Sequence, residues 1–190
     1  MQLRRGAIIG FLIVILAIGF FVWQNGSKQE SGENAPEFQQ YSNATYGLSF
    51  SYPDTYNLTE TDAPGSGMRI HHVITLIRKE DLPLPVDGEG PPAITIDIYQ
   101  NNLDSQTTEG WIRNTSASNF KLSEGTLAST TIDNLPALSY RWSGLYEGTT
   151  IVLARARWVY AFTVTYLEMG APIVQDFVAI QDSVRLNVSE

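Results

Sequence analysis

Two adjacent histidines, His71 and His72, are the only imidazoles in the chain, and they are the first place to look for proton transfer or metal binding. They interrupt an apolar run, RIHHVITLIRK, that reads as a strand. Neighbouring strand side chains point to opposite faces, so the two rings cannot readily share one metal. Outside carboxylates would be needed, and there is no HExxH. The expectation is a polar interruption in a buried strand. The segment Lys79–Pro92, KEDLPLPVDGEGPP, sets Glu80, Asp81, Asp87 and Glu89 around four prolines. Calcium favours clustered carboxylates, but this spacing does not fit an EF-hand. A solvated, stiff loop is expected, and its length makes those four acids the expected partner-contact loop. Arg155 and Arg157 lie two apart on a run read as strand, with Arg141 on the strand before it. Together they suggest an anion or acidic-partner patch, with cross-strand pairing to Glu147 or Glu168 as the alternative.

Other chemistries find no foothold. No G-x-S-x-G elbow, phosphate loop or dinucleotide fingerprint occurs. With no cysteine, disulfides, thiolate metal sites and thiol nucleophiles are excluded. Twelve Lys+Arg against 20 Asp+Glu, a net charge of −8, argue against nucleic acid. The expectation is therefore a non-enzymatic chain without cofactor or metal. Its 190 residues allow one domain and one short extra feature.

That feature is Gly6–Trp23, GAIIGFLIVILAIGFFVW, 18 residues without a charge. As a helix it would span roughly 27 Å, close to the bilayer hydrocarbon thickness. Arg4 and Arg5 precede it, whereas Lys28 is followed by Glu30, Glu33 and Glu37. Positive charge on the entry side keeps residues 1–5 cytoplasmic and exports the remainder. The run exceeds a signal-peptide core and leaves through Phe20–Gln24 with no A-x-A site, so it reads as a retained single-pass anchor. Gly6 and Gly10 form one G-x-x-x-G pair, a weak helix-pairing signal. Arg4-Arg5-Gly6 before an apolar run also resembles a type IV pilin leader. Counting from Ala7, however, Phe11 stands where that family has glutamate.

Residues 24–40, QNGSKQESGENAPEFQQ, cannot bury enough apolar surface to offset ordering and read as a tether. Residues 41–190 make one exported domain. Strands are expected over Tyr46–Tyr52, Arg69–Lys79 (apolar on both faces), Ala93–Gln100, Thr126–Ile132, Ala137–Trp142, Thr149–Arg157 and Tyr160–Leu167. Helical spacing appears at Ser105–Asn119 and Ala171–Val184, the latter opened by Pro172. Many antiparallel strands with two amphipathic helices give an α+β class. The N-x-S/T sequons at Asn43, Asn57, Asn114 and Asn187 follow from a composition rich in Ser, Thr and Asn. A cysteine-free exported domain points to a bacterial envelope.

Tyr46–Tyr56, YGLSFSYPDTY, resembles the entry motif of PsbP-like domains. Ile132–Ala137, IDNLPA, is similar to that family's turn before its central strands, with Asn134 where glycine is usual. Tyr160–Tyr166, YAFTVTY, followed by Phe177, Ile180 and Ser183, resembles its close. The likeness spans about residues 41–186 and implies an αβα sandwich around an antiparallel sheet, found in export-side proteins that support membrane complexes. DcrB-like bacterial envelope proteins are the nearer comparison, and no ion-binding residue carries over. The expected function is a non-catalytic, membrane-anchored binding or assembly module with an envelope protein partner. A pilin-like filament subunit and a carboxylate-based envelope hydrolase are the alternatives.

Overall fold

The computed structural model describes residues 37–63 and 69–187. The expected anchor, Gly6–Trp23, and the tether as far as residue 36 lie outside them. Among the described residues no helix is long and apolar enough to cross a membrane.

The strands are β1 (Phe38–Asn43), β2 (Leu48–Pro53), β3 (Tyr56–Asp62), β4 (His71–Arg78), β5 (Ile94–Gln100), β6 (Ala128–Ile132), β7 (Leu135–Ser143), β8 (Glu147–Arg155), β9 (Trp158–Tyr166) and β10 (Arg185–Leu186). The helices are α1 (Thr108–Asn114) and α2 (Pro172–Ser183). A large antiparallel sheet runs β3-β4-β5-β9-β8-β7-β6, and a small one runs β1-β2-β10. The α+β expectation holds, with corrections. Strand β1 takes residues 38–40 from the expected tether, and β3 was not expected at all. Strand β4 begins at His71 rather than Arg69, and it is fully buried on one face only, with Val73, Thr75 and Ile77 half-exposed on the other. The helix expected over Ser105–Asn119 holds only Thr108–Asn114. Its start is capped by Thr107 Oγ1, which accepts from Gly110 N at 3.1 Å, and a 3₁₀ turn follows at Asn119–Leu122. Side chains of the Thr-Ser-Ala-Ser run bond local backbone instead of extending the helix: Ala117 N donates to Thr115 Oγ1, and Ser118 Oγ donates to Ile112 O at 2.6 Å.

Strand alternation sorts the core onto two faces. Ile74, Leu76, Ile94, Ile96, Ile98, Tyr160, Phe162 and Val164 share one face. Ile173, Phe177 and Ile180 of α2, with Leu48 and Phe50 of the small sheet, close over it. The smaller second core places Trp111 and Ile112 of α1 against Tyr140, Val152, Val159 and Ala161. The β6–β7 hairpin turns on Asp133 (φ 49°) and Asn134 (φ 61°), residue types that tolerate the left-handed region. Asp133 Oδ2 also accepts from Leu186 N at 2.9 Å, which ties β10 to the hairpin.

Gly148 stands opposite Trp142, whose indole lies across it and donates to Thr150 Oγ1 at 3.0 Å. A Cβ at 148 would run into that ring. Gly148→Ala should cost about 1–3 kcal/mol by overpacking. The check is the urea midpoint together with the Trp142 emission; an unchanged midpoint would refute it.

Candidate functional site

Helix α2 lies over β2 and β9, leaving the same face of β6–β8 partly uncovered. Pairing is made at Ala128↔Ser139 and again at Ser123↔Trp142, so four residues (124–127) lie opposite two (140–141). The chain bulges away from β7 there, with Gly125 at φ 79°. The result is an open groove of about 680 Å³. Ser139, Arg141, Thr149 and Val164 line it from the sheet, Val174, Phe177 and Val178 from α2, and Leu122 and Met169 also line it. Arg141 is exposed and makes no ion pair among the described residues. Its expected partner Glu147 instead accepts from Ser143 Oγ at 2.8 Å. The groove thus offers apolar contact and one free guanidinium, the ingredients of partner binding.

The three arginines do not converge. Strand β8 ends at Arg155, and Ala156, at φ 50°, turns the chain so that Arg157 lies in the hairpin, off the strand face. Arg141 pairs with Thr149, six residues along β8 from Arg155 and hence about 20 Å away. The expected arginine patch is therefore not assembled. Arg155 is half-buried, with Nε unpartnered among the described residues.

The histidines take opposite faces, as strand geometry requires, and carboxylates hold both. His71 Nε2 lies 2.7 Å from Asp97 Oδ1, and its ring stacks on Tyr99 at 4.2 Å. His72, buried, has Nδ1 2.8 Å from Asp62 Oδ1 and Nε2 2.9 Å from Glu60 Oε2. Tyr46 stacks on it at 4.6 Å, and Tyr41 OH donates to Glu60 at 2.8 Å, joining β1 to β3. Burial and the Glu60 hydrogen bond push the Tyr41 phenol well above its usual range. Sequence reasoning missed Glu60 and Asp62 because β3 shows so little apolar periodicity. Among the described residues no group of three or more His, Asp or Glu side chains is arranged to hold a metal.

Burial opposes the charge on Glu60, yet the hydrogen bonds from Tyr41 and His72 outweigh it and hold the carboxyl below its ordinary value. A carboxyl depressed by folding contributes stability above its unfolded value and loses it as pH falls through the folded one. Glu60→Gln should therefore flatten the stability profile below about pH 4.3, the ordinary glutamate value. Urea midpoints at neutral and acid pH measure this; parallel losses in both proteins would refute it.

A second cluster spans three elements. Asp176 Oδ2 of α2 accepts from Tyr56 OH of β3 at 2.7 Å and from Arg78 Nη2 of β4 at 2.9 Å. Arg78 also pairs with Glu80 at 3.3 Å. Of the expected partner loop, Glu80 and Asp81 sit in a 3₁₀ turn (Lys79–Asp81), and Asp87 and Glu89 are exposed further along it. Tyr146 OH donates to Gly90 O at 2.6 Å and pins the loop's far side to the β7–β8 turn.

No family model matches this chain, and no curated protein matches it in sequence. Among solved structures it is similar to the solution structure of cyanobacterial PsbP (CyanoP) from Synechocystis sp. PCC 6803. That similarity has 13% identity and a TM-score of 0.51, over 85% of this chain and 99% of that one. A crystal structure from Bacteroides thetaiotaomicron is 8% identical with a TM-score of 0.47, over 80% of this chain and 49% of the other. The fold is PsbP-like.

Proposed function

We propose that this chain is a membrane-anchored, extracytoplasmic binding or assembly module of a bacterial envelope, of the kind its resemblance to DcrB-like proteins implies, and that it binds without catalysis. The observation that carries this reading is the groove beside α2, an apolar cleft with Arg141 unpaired within it. The PsbP-like fold supports it. So does the engagement of the histidines, whose ring nitrogens serve Asp97, Asp62 and Glu60 as structural contacts. The anchor rests on the uncharged run Gly6–Trp23 and the basic residues before it.

The test has two parts. The chain should resist carbonate extraction from membranes, and its domain should be cleaved by protease added to intact spheroplasts. Release by carbonate, or protection from protease, would refute the reading.

A further inference from the structure

The strand register brings one set of loops to a single end of the large sheet. Arg78 pairs with Tyr56, Leu76 with Ile94, Ile94 with Val164, Tyr166 with Glu147, and Glu147 with Ser143. The 79–93 loop, the β7–β8 turn and the β9–α2 connection therefore share that end. Eleven large hydrophobic side chains are exposed among the described residues. Leu82, Leu84, Val86, Leu145, Leu167 and Met169 all stand on these three loops, with Val86 98% and Leu167 74% exposed. Ile70 and Leu103 stand at the opposite end. An apolar set gathered at one end and held there by the Arg78–Glu80 and Tyr146–Gly90 contacts is not the scatter of an ordinary surface.

The chain also enters the domain at this end. Asp54 N donates to Glu37 O at 2.8 Å, and Lys79 N donates to Thr55 O at 2.9 Å, so Glu37 lies beside the start of the loop. Residues 24–36 separate Glu37 from the expected anchor. The chain from the expected anchor therefore joins the domain at the apolar end, not at the end that carries Ile70 and Leu103.

Charge decides what this end meets. Acids flank the apolar tips of two of the three loops: Asp81 beside Leu82, Asp87 and Glu89 after Val86, and Glu168 between Leu167 and Met169. Loops that enter lipid carry Lys, Arg, Trp or Tyr at their flanks. On these three loops only Lys79 and Tyr146 are of that kind, and Tyr146 is tied to Gly90 O. The five carboxylates Glu80, Asp81, Asp87, Glu89 and Glu168 outnumber the single lysine, so anionic headgroups repel this end. Apolar tips within an acidic rim match an apolar pocket within a basic rim. We infer that these three loops dock on a membrane-embedded protein whose extracytoplasmic loops are rich in Lys and Arg. This inference rests on the anchored, exported reading above.

The experiment uses the full-length chain in its own membranes, with a photo-crosslinking benzoylphenylalanine in place of Val86 or Met169, and in place of Leu103 at the far end as the control. The inference expects a discrete protein adduct from Val86 and Met169 but not from Leu103. The captured chain, identified by mass spectrometry, should carry Lys/Arg-rich extracytoplasmic loops, and Asp87→Lys with Glu89→Lys should lower the adduct yield by at least about tenfold. Lipid adducts alone, equal capture from both ends, a captured protein without basic loops, or indifference to the charge reversal would each overturn it. Carbonate release of the same preparation refutes the anchored reading itself, whereas an anchored chain with no end-specific adduct refutes the docking inference only.

Discussion

Phe162→Ala should remove about 3–5 kcal/mol of folding free energy, a large part of the 5–15 kcal/mol that holds a typical domain together. Phe162 is 1% exposed on β9, the strand between β5 and β8. It stands directly opposite Ile96 on one side and Ile151 on the other, both buried. Its ring belongs to the core that α2 and the small sheet close over, so truncation loses the transfer energy and leaves a void those elements cannot readily fill. Thr163, the next residue, faces the other side of the sheet and is half-exposed, bonding Thr150 Oγ1 at 3.0 Å. Thr163→Ala should cost only about 1 kcal/mol. Urea unfolding of the detergent-solubilised chain, followed by tryptophan emission, separates the two. A loss below about 2 kcal/mol for Phe162→Ala, or equal losses at both sites, would contradict this arrangement of the core.

Asp176→Ala is the second large effect, expected to cost about 2–3 kcal/mol. Its carboxylate is the shared acceptor for the Tyr56 phenol and the Arg78 guanidinium, and so joins α2 to β3 and β4 at once. Tyr56 is 1% exposed, and burial, with help from Asp176, drives its phenol above the usual range, so without Asp176 a protonated hydroxyl stays inside. The Arg78 side chain keeps 24% of its surface, so solvent recovers part of its loss and the full penalty of an orphaned buried charge does not apply. Asp176→Asn keeps an oxygen for the phenol and should cost about half as much. Equal losses for the Asn and Ala variants would show that the phenol bond contributes nothing, and a loss under about 1 kcal/mol would show that the cluster does not tie the helix down.

Much of this architecture is legible in the chain. Ile94-Ile96-Ile98, the run Val152–Leu153 and Tyr160–Tyr166 sit in the middle of the large sheet, where neighbours on both sides demand apolar side chains, so their period is strong. Helix α2 announces itself through Pro172 and the stripe Ile173, Phe177, Ile180. Strands β1 and β3 do not: each buries one residue, Tyr41 and Tyr56 respectively, and otherwise faces solvent, so FQQYSN reads as tether and YNLTETD as loop. The expected arginine patch failed for a related reason. Its arginines fit period two, but Ala156 bends the chain between Arg155 and Arg157 without a glycine to signal the turn.

By itself the sequence determined whatever depends on a side chain's own solvent preference or on near neighbours: the uncharged apolar run Gly6–Trp23, the acidic balance, the central strands and the last helix. Tertiary structure alone decided the rest. Asp176 lies 120 residues from Tyr56 and 98 from Arg78, and the loops that gather their apolar tips at one end meet only through strand register. Contacts between distant residues follow from which strands pair and in what alignment, and that choice minimises the free energy of the whole core and leaves no trace in a local window.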